Sequence, residues 1–173
     1  MLITGTCALL RLGELTLPDN PDIRNFRKVI ARDSVSIETP FYSFWLPYHK
    51  ADRLFEANKI VIAPKWGINA LHVFRHYLGL RDNLFPLHPH LWVGPSGSVP
   101  TRSWFIRHLR EVEPDTRWSG QSMRAGGATA MAEDGAPPHI IQATSRWASD
   151  AFQFYIRKNP VVLNAMLAAQ RGN

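Results

Sequence analysis

The sequence predicts a mainly helical α+β domain with a small three-stranded antiparallel sheet. Alternating and β-branched segments are confined to the stretch between Arg27 and Pro64, and apolar residues recur at helical spacing on either side of it. With 173 residues, 45% of them hydrophobic, the chain is large enough for one real core. One domain spanning residues 1–173 is therefore expected.

The elements follow in chain order. Thr4 or Thr6 is placed to cap a first helix whose apolar side is Leu9, Leu10, Leu12 and Leu15, and Pro18, Asp19, Asn20 and Pro21 end it. That helix carries Arg11 and Glu14. Val35 and Ile37 alternate in a first strand, FYSFWLPY forms a second and KIVIAP a third. HKADRLFEAN joins the last two, which puts Lys50 at or near a hairpin.

Beyond Pro64 the pattern turns helical, from Ile68 to Leu80 and again from Thr101 to Val112, where Phe105, Leu109 and Val112 fall at i, i+4 and i+7. The intervening LFPLHPHLWVGPSGSVP holds four prolines, which forbid a long regular element. A further helix is expected from Ser122 to Asp134 with Gly135 as its stop, and Pro137 and Pro138 open the next. Ser149 caps a helix bearing Phe152 and Tyr155, and Val161 to Ala169 forms an apolar last segment.

Lys and Arg total 20 against 14 Asp and Glu, a formal charge of +6 that suits a polyanionic partner without identifying one. Cys7 is the only cysteine, so an internal disulfide and a thiolate-rich zinc site are excluded and an intracellular setting is expected. No apolar run approaches the roughly 20 residues of a membrane span, and the start of the chain lacks the pattern of a secretory signal. The His72 and His76 pair and the HPH run at His88 to His90 have no acidic or cysteine companion in a recognised zinc spacing, so no metal and no cofactor is expected.

Four segments share one order with a known family: LLRLGEL around Arg11, LPYHKADRLFEANKIVI around Lys50, QSMRAGGATA around Arg124 and SRWASDAFQFYIRK ending beyond Tyr155. They resemble the first arginine box, the β-hairpin, the second arginine box and the nucleophile box of the tyrosine recombinase and integrase family. The wording of LPYHKADR, SMRAGG and RWASDAFQFYIRK is most similar to the recombinases of Crypton-type eukaryotic mobile elements. The resemblance covers residues 5–165. It implies the catalytic-domain fold of that family, without the amino-terminal helical domain that normally embraces the other face of the DNA.

The resemblance assigns roles that chemistry can rationalise. Phosphodiester cleavage by a tyrosine passes through a pentacoordinate phosphorus with added negative charge, which Arg11 and Arg124 would hold with planar, permanently charged donors. Lys50 would protonate the departing 5′ oxygen, with Lys59 as the competing candidate. Tyr155 would attack phosphorus to give a 3′-phosphotyrosine. Trp147 would donate its indole N–H where many members have histidine. Gln121 stands where histidine is usual, three residues before Arg124, and cannot take up a proton near neutrality.

Each residue also has a plainer reading: a surface ion pair with Glu14 for Arg11, a helix-surface cation for Arg124, a turn lysine for Lys50, and core aromatics for Trp147 and Tyr155. If the catalytic reading holds, the side chains of Arg11, Lys50, Arg124, Trp147 and Tyr155 should surround one basic concave surface. Arg102, Arg107, His108 and Arg110 on one helix, and Arg146, Arg157 and Lys158 beside the nucleophile segment, are expected to contact DNA phosphates.

The expected partner is double-stranded DNA. The resemblance further implies a homo-oligomer, a tetramer on DNA, joined through the carboxy-terminal segment, and a mobile-element enzyme of the nucleus. Two alternatives accompany this reading: a DNA-binding remnant that has lost turnover, and a topoisomerase of type IB that relaxes DNA by the same chemistry.

Overall fold

The computed structural model describes residues 1–47 and 58–147, together with Pro160, Leu163, Asn164 and Leu167. Among them α1 (Leu2–Cys7) and α2 (Leu12–Leu15) precede a sheet of β1 (Ser36–Glu38), β2 (Phe41–Leu46) and β3 (Asn58–Ile62). Then follow α3 (Ala70–Leu84), α4 (Arg102–Val112), α5 (Ser122–Glu133) and α6 (Pro138–Ser145). The sheet is antiparallel in the order β1-β2-β3, with Ile37 opposite Tyr42 and Tyr42 opposite Ile62. The α+β architecture is as expected, with three antiparallel strands and β2 beside β3.

The first helix departs from expectation. Instead of one helix through Leu15, the chain breaks at Ala8–Arg11, and Thr4 and Thr6 lie inside α1 rather than capping it. Leu9 takes a left-handed backbone, φ 51°, and both Leu9 and Leu10 are fully buried. Burying two adjacent leucines in different directions requires such a kink, because neighbours on a continuous helix diverge by about 100° on one cylinder. Glu14 then starts α2 afresh by accepting a 2.7 Å hydrogen bond from the backbone N–H of Arg11.

The inner face of the sheet, Tyr42, Phe44 and Leu46 of β2 with Ile60 and Ile62 of β3, packs on Leu71, Phe74 and Leu78 of α3. The rings of Tyr42 and Phe74 stack at 3.8 Å, and the Tyr42 hydroxyl meets the Thr4 hydroxyl at 2.9 Å, which ties the sheet to α1. Burial pushes the Tyr42 phenol well above its ordinary pKa, so it stays a neutral hydrogen-bonding group. A second, smaller cluster gathers Leu9, Ala128, Met131, Ala132 and Ile141, with Trp147 against it. It joins the kink after α1 to α5 and α6.

α3 is longer than expected, starting after Asn69, whose Oδ1 accepts from His72 N at 3.0 Å, and ending just before Pro86. The Thr101 hydroxyl caps α4 at 3.2 Å from Trp104 N. Phe105 of α4 is buried and Leu109 packs on the core, but Val112 is 77% exposed because α4 outruns the surface it covers. α5 ends in paired bonds from Gly135 N to Ala132 O and from Ala136 N to Met131 O, with Gly135 at φ 79°, as its glycine foretold.

The proline-rich segment is pinned by a buried arginine that sequence reading passed over. Arg81 donates from Nη1 to Asp82 at 2.6 Å and to Phe85 O at 3.2 Å, and from Nη2 to His88 O and, at 2.7 Å, to His90 O. Arg32 grips the same Asp82 through Nη2 at 2.6 Å. The HPH run thus contributes carbonyl oxygens to a fold-holding arginine. Ser149, Phe152 and most of the last segment lie outside the described residues; Pro160, Leu163, Asn164 and Leu167 are helical and exposed.

Candidate phosphate-binding site

Arg11 occupies the position before α2 with an extended backbone, and its side chain is about half exposed. Its Nη1 lies 3.4 Å from Glu14 Oε1, a long contact at the limit of a hydrogen bond. Glu14 itself is nearly buried and receives Arg146 Nη2 on Oε2 at 3.0 Å. The surface ion pair foreseen for Arg11 therefore exists, but its carboxylate is shared with a second arginine from the end of α6.

Arg124 rises from the first turn of α5 into the space between the kink and α6, with only 7% of its surface exposed. Its Nη1 donates to Leu9 O at 2.9 Å and its Nη2 to Ser145 O. The guanidinium lies 5.0 Å from the ring centre of Trp147, in range for a cation–π contact. Its Nε is buried with no hydrogen-bond partner among the described residues. Small residues allow this approach: a side chain at Gly127 would overlap the carbonyl oxygen of Thr6, so α5 and α1 touch backbone to backbone there.

Burial and the nearby positive charge of Arg11 lower the Arg124 pKa to about 10, with Glu14 opposing and Arg146 adding to the fall. Burial lowers the Arg146 pKa too, partly offset by Glu14. Arg124 stays charged at neutral pH. Arg124 thus feels the charges of Arg11 and Arg146, Arg146 feels that of Arg11, and among the described residues Glu14 is the one carboxylate acting on Arg124 and Arg146. Three positive groups against one negative leave a local excess that an anion can satisfy.

The sequence-predicted residues divide as follows. Arg124 of α5 meets Trp147 after α6 and feels the charge of Arg11 at the cap of α2. Gln121 is exposed at the start of α5, three residues before Arg124, and its side chain makes no capping bond. Arg146, expected as a peripheral phosphate contact, is instead mostly buried within the arginine cluster. Lys50, Tyr155, Arg157 and Lys158 lie outside the described residues; Lys50 falls in the connection between β2 and β3. Lys59 is exposed on β3, opposite Trp45.

Arg102, Arg107 and Arg110 are exposed along α4 and, with Ser103, Ile106 and Asp19, line a shallow depression. α4 is fastened to the end of α2 by Leu17 N to Pro100 O at 2.9 Å and Arg102 N to Leu17 O at 3.0 Å. His108 is partly buried, with its Nδ1 2.9 Å from Trp104 O and its ring stacked on that indole at 4.0 Å.

Sequence reading did not foresee Glu14 as the shared carboxylate, nor the carbonyls of Leu9 and Ser145 as ligands of Arg124. Glu14 carried a legible signal, a glutamate placed to accept from the N–H three residues earlier. His72 and His76 are exposed on α3, and among the described residues no three His, Cys, Asp or Glu side chains gather to hold a metal ion. None of the described helices is long and apolar enough to cross a membrane.

No protein-family model and no curated protein matches this chain. Among solved structures it is similar to the XerH site-specific recombinase bound to difH substrate in a pre-cleavage complex, with a TM-score of 0.62 at 14% identity over 89% of this chain and 41% of that one. It is similar also to XerH bound to palindromic difH in a post-cleavage complex, with a TM-score of 0.60 at 15% identity over 89% of this chain and 40% of that one. The chain spans about two fifths of the length of these recombinases. Its helices and three-stranded antiparallel sheet have the fold of a tyrosine recombinase catalytic domain.

Proposed function

We propose that this chain cuts and rejoins DNA through a covalent tyrosine link, as the catalytic domain of a site-specific recombinase. The observation that carries the reading is the cluster of Arg11, Arg124 and Arg146 around Glu14, the one carboxylate there among the described residues. Its excess positive charge fits a phosphodiester, and it sits in a fold similar to that of a recombinase solved with its DNA. In the proposed reaction the Tyr155 hydroxyl loses its proton to solvent and its oxygen bonds to phosphorus as the bond to the 5′ oxygen breaks, while Lys50 supplies the proton that the departing oxygen needs. Arg11 and Arg124 hold the non-bridging oxygens, and Trp147 donates its indole N–H beside Arg124.

The exposed Arg102, Arg107 and Arg110 of α4 extend the basic surface and would position the duplex without reading its sequence. A Crypton-like mobile-element origin, a nuclear setting and assembly through the carboxy-terminal segment belong to the same proposal.

The test is covalent capture. A library of nicked duplexes, in which the released strand diffuses away, should yield a protein–DNA adduct that survives denaturation and disappears in Tyr155→Phe. Duplex binding without any adduct would overturn the catalytic reading in favour of a DNA-binding remnant, a possibility that the neutral side chain of Gln121 supports. Relaxation of supercoiled plasmid at single-protomer concentrations would favour the topoisomerase reading.

A further inference from the structure

Arg146 ends α6 in the left-handed region, φ 54° and ψ 38°, where α5 uses Gly135 for the corresponding turn. Residues with a side chain enter that region at a cost, and such strain persists where the surroundings hold it in place. The backbone N–H of Arg146 bonds to Ala143 O at 3.1 Å, and its side chain is held by Glu14. The side chain of Arg146 is only 19% exposed, and its Nη2 reaches Glu14 Oε2 at 3.0 Å across 132 positions of sequence. Its other guanidinium contact among the described residues is weak, Nη1 to Thr144 O at 3.4 Å.

Glu14 divides its bonds unequally. Oε2 takes the two short ones, from the Arg11 backbone N–H at 2.7 Å and from Arg146 at 3.0 Å. Among the described residues the Arg11 guanidinium has only the long contact to Oε1, and its side chain is half exposed. Charge compensation of this nearly buried carboxylate therefore comes from Arg146. Without it, Glu14 would draw Arg11 in as its hydrogen-bonded counterion and present more negative charge to an approaching phosphate.

We propose that Arg146 is a positioning residue: by neutralising Glu14 it frees the Arg11 guanidinium for the phosphodiester, without touching the phosphate itself. This rests on the proposed function for the identity of the anion, and it replaces the expectation that Arg146 is a direct DNA contact.

A double-mutant cycle on the full chain separates the two roles. Binding of a labelled duplex is measured by fluorescence anisotropy, at fixed salt, for wild type, Arg146→Gly, Glu14→Gln and the double variant. Glutamine at position 14 can still accept from the Arg11 N–H, so α2 keeps its start. Arg146→Gly should weaken binding about tenfold, within the range for residues sharing an ion pair, while relief of the left-handed strain offsets part of the stability lost with the ion pair. In the Glu14→Gln background the same change should cost no more than about twofold.

An equal loss in both backgrounds would mean direct phosphate contact, and no loss in either would mean no role; each overturns the proposal. If Arg146→Gly does not fold, Arg146→Asn, which tolerates the left-handed region, should show the same coupling. Absence of any adduct with the coupling intact would sink the catalytic reading alone, whereas an adduct without the coupling would sink only this one. A wild type that binds no duplex overturns both.

Discussion

Arg124 donates through Nη1 to the carbonyl oxygen of Leu9 at 2.9 Å, and Leu9 is the residue whose left-handed backbone breaks the first helix. The kink turns that carbonyl toward α5, and the other end of the guanidinium meets Ser145 O at the close of α6. Arg124 is therefore both a candidate phosphate ligand and a tie between distant segments. Arg124→Lys cannot span two carbonyls with a single ammonium and leaves one buried acceptor unpaired. It should lower unfolding stability by about 2 kcal/mol, read from urea denaturation. A loss below about 0.5 kcal/mol would show that the tie is dispensable.

Two adjacent glycines on α5 make opposite predictions. A methyl group at Gly127 would overlap the backbone carbonyl of Thr6 and Leu9 Cδ2, whereas one at Gly126 meets nothing within 4 Å. Gly127→Ala should therefore destabilise the protein by about 1–3 kcal/mol through overpacking. Gly126→Ala should stabilise it by about 0.5–1 kcal/mol, since an exposed helix interior favours alanine. Thermal melts of the pair test the α1–α5 contact; if both variants melt alike, that contact is wrong.

How much of this was legible depended on the range of the interactions. Strand pairing could be read because β-branched and aromatic residues cluster at Phe41–Leu46 and Asn58–Ile62, and the stop of α5 because Gly135 follows it. The break at Leu9 could not, since leucine seldom adopts a left-handed backbone and the spacing of Leu9, Leu12 and Leu15 suits one helix. Arg11 and Arg124 were legible through their motifs. The bridge from Arg146 to Glu14 was not, because it joins residues 132 positions apart whose meeting depends on how α6 docks. The assignments of Lys50 and Tyr155 still rest on the sequence.

Acid should loosen the proline-rich segment. Hydrogen bonds from Arg32, then from Arg81, hold the Asp82 carboxyl below its usual pKa. A carboxyl depressed in the folded state adds stability above the unfolded value, near 3.9 for aspartate, and that stability is lost as pH falls through the folded value. The urea midpoint should therefore drop with pH below about 4, and Asp82→Asn should lower the midpoint at neutral pH while flattening the acid limb. An unchanged acid limb in Asp82→Asn would assign the slope to other carboxylates.

Gln121 begins α5 three residues before Arg124, is exposed, and spends no side-chain bond on capping the helix, so replacing it should leave the fold intact. Its chemistry is the point at issue. A tyrosine hydroxyl has an ordinary pKa near 10, so attack at neutral pH gains from a neighbour that accepts or relays the proton. Glutamine offers only a neutral hydrogen bond. General acid–base assistance is worth roughly a hundredfold or more. Gln121→His should accordingly raise the rate of covalent adduct formation on nicked DNA toward that factor, with the gain fading as pH falls below about 6 and the imidazole becomes protonated. The melting temperature should stay within a few degrees, and Tyr155→Phe should abolish the adduct in either background. A measurable wild-type rate left unchanged by Gln121→His would show that this position lies outside the path of the tyrosine proton. A rate gain that persists at low pH would point to added phosphate binding by the imidazolium.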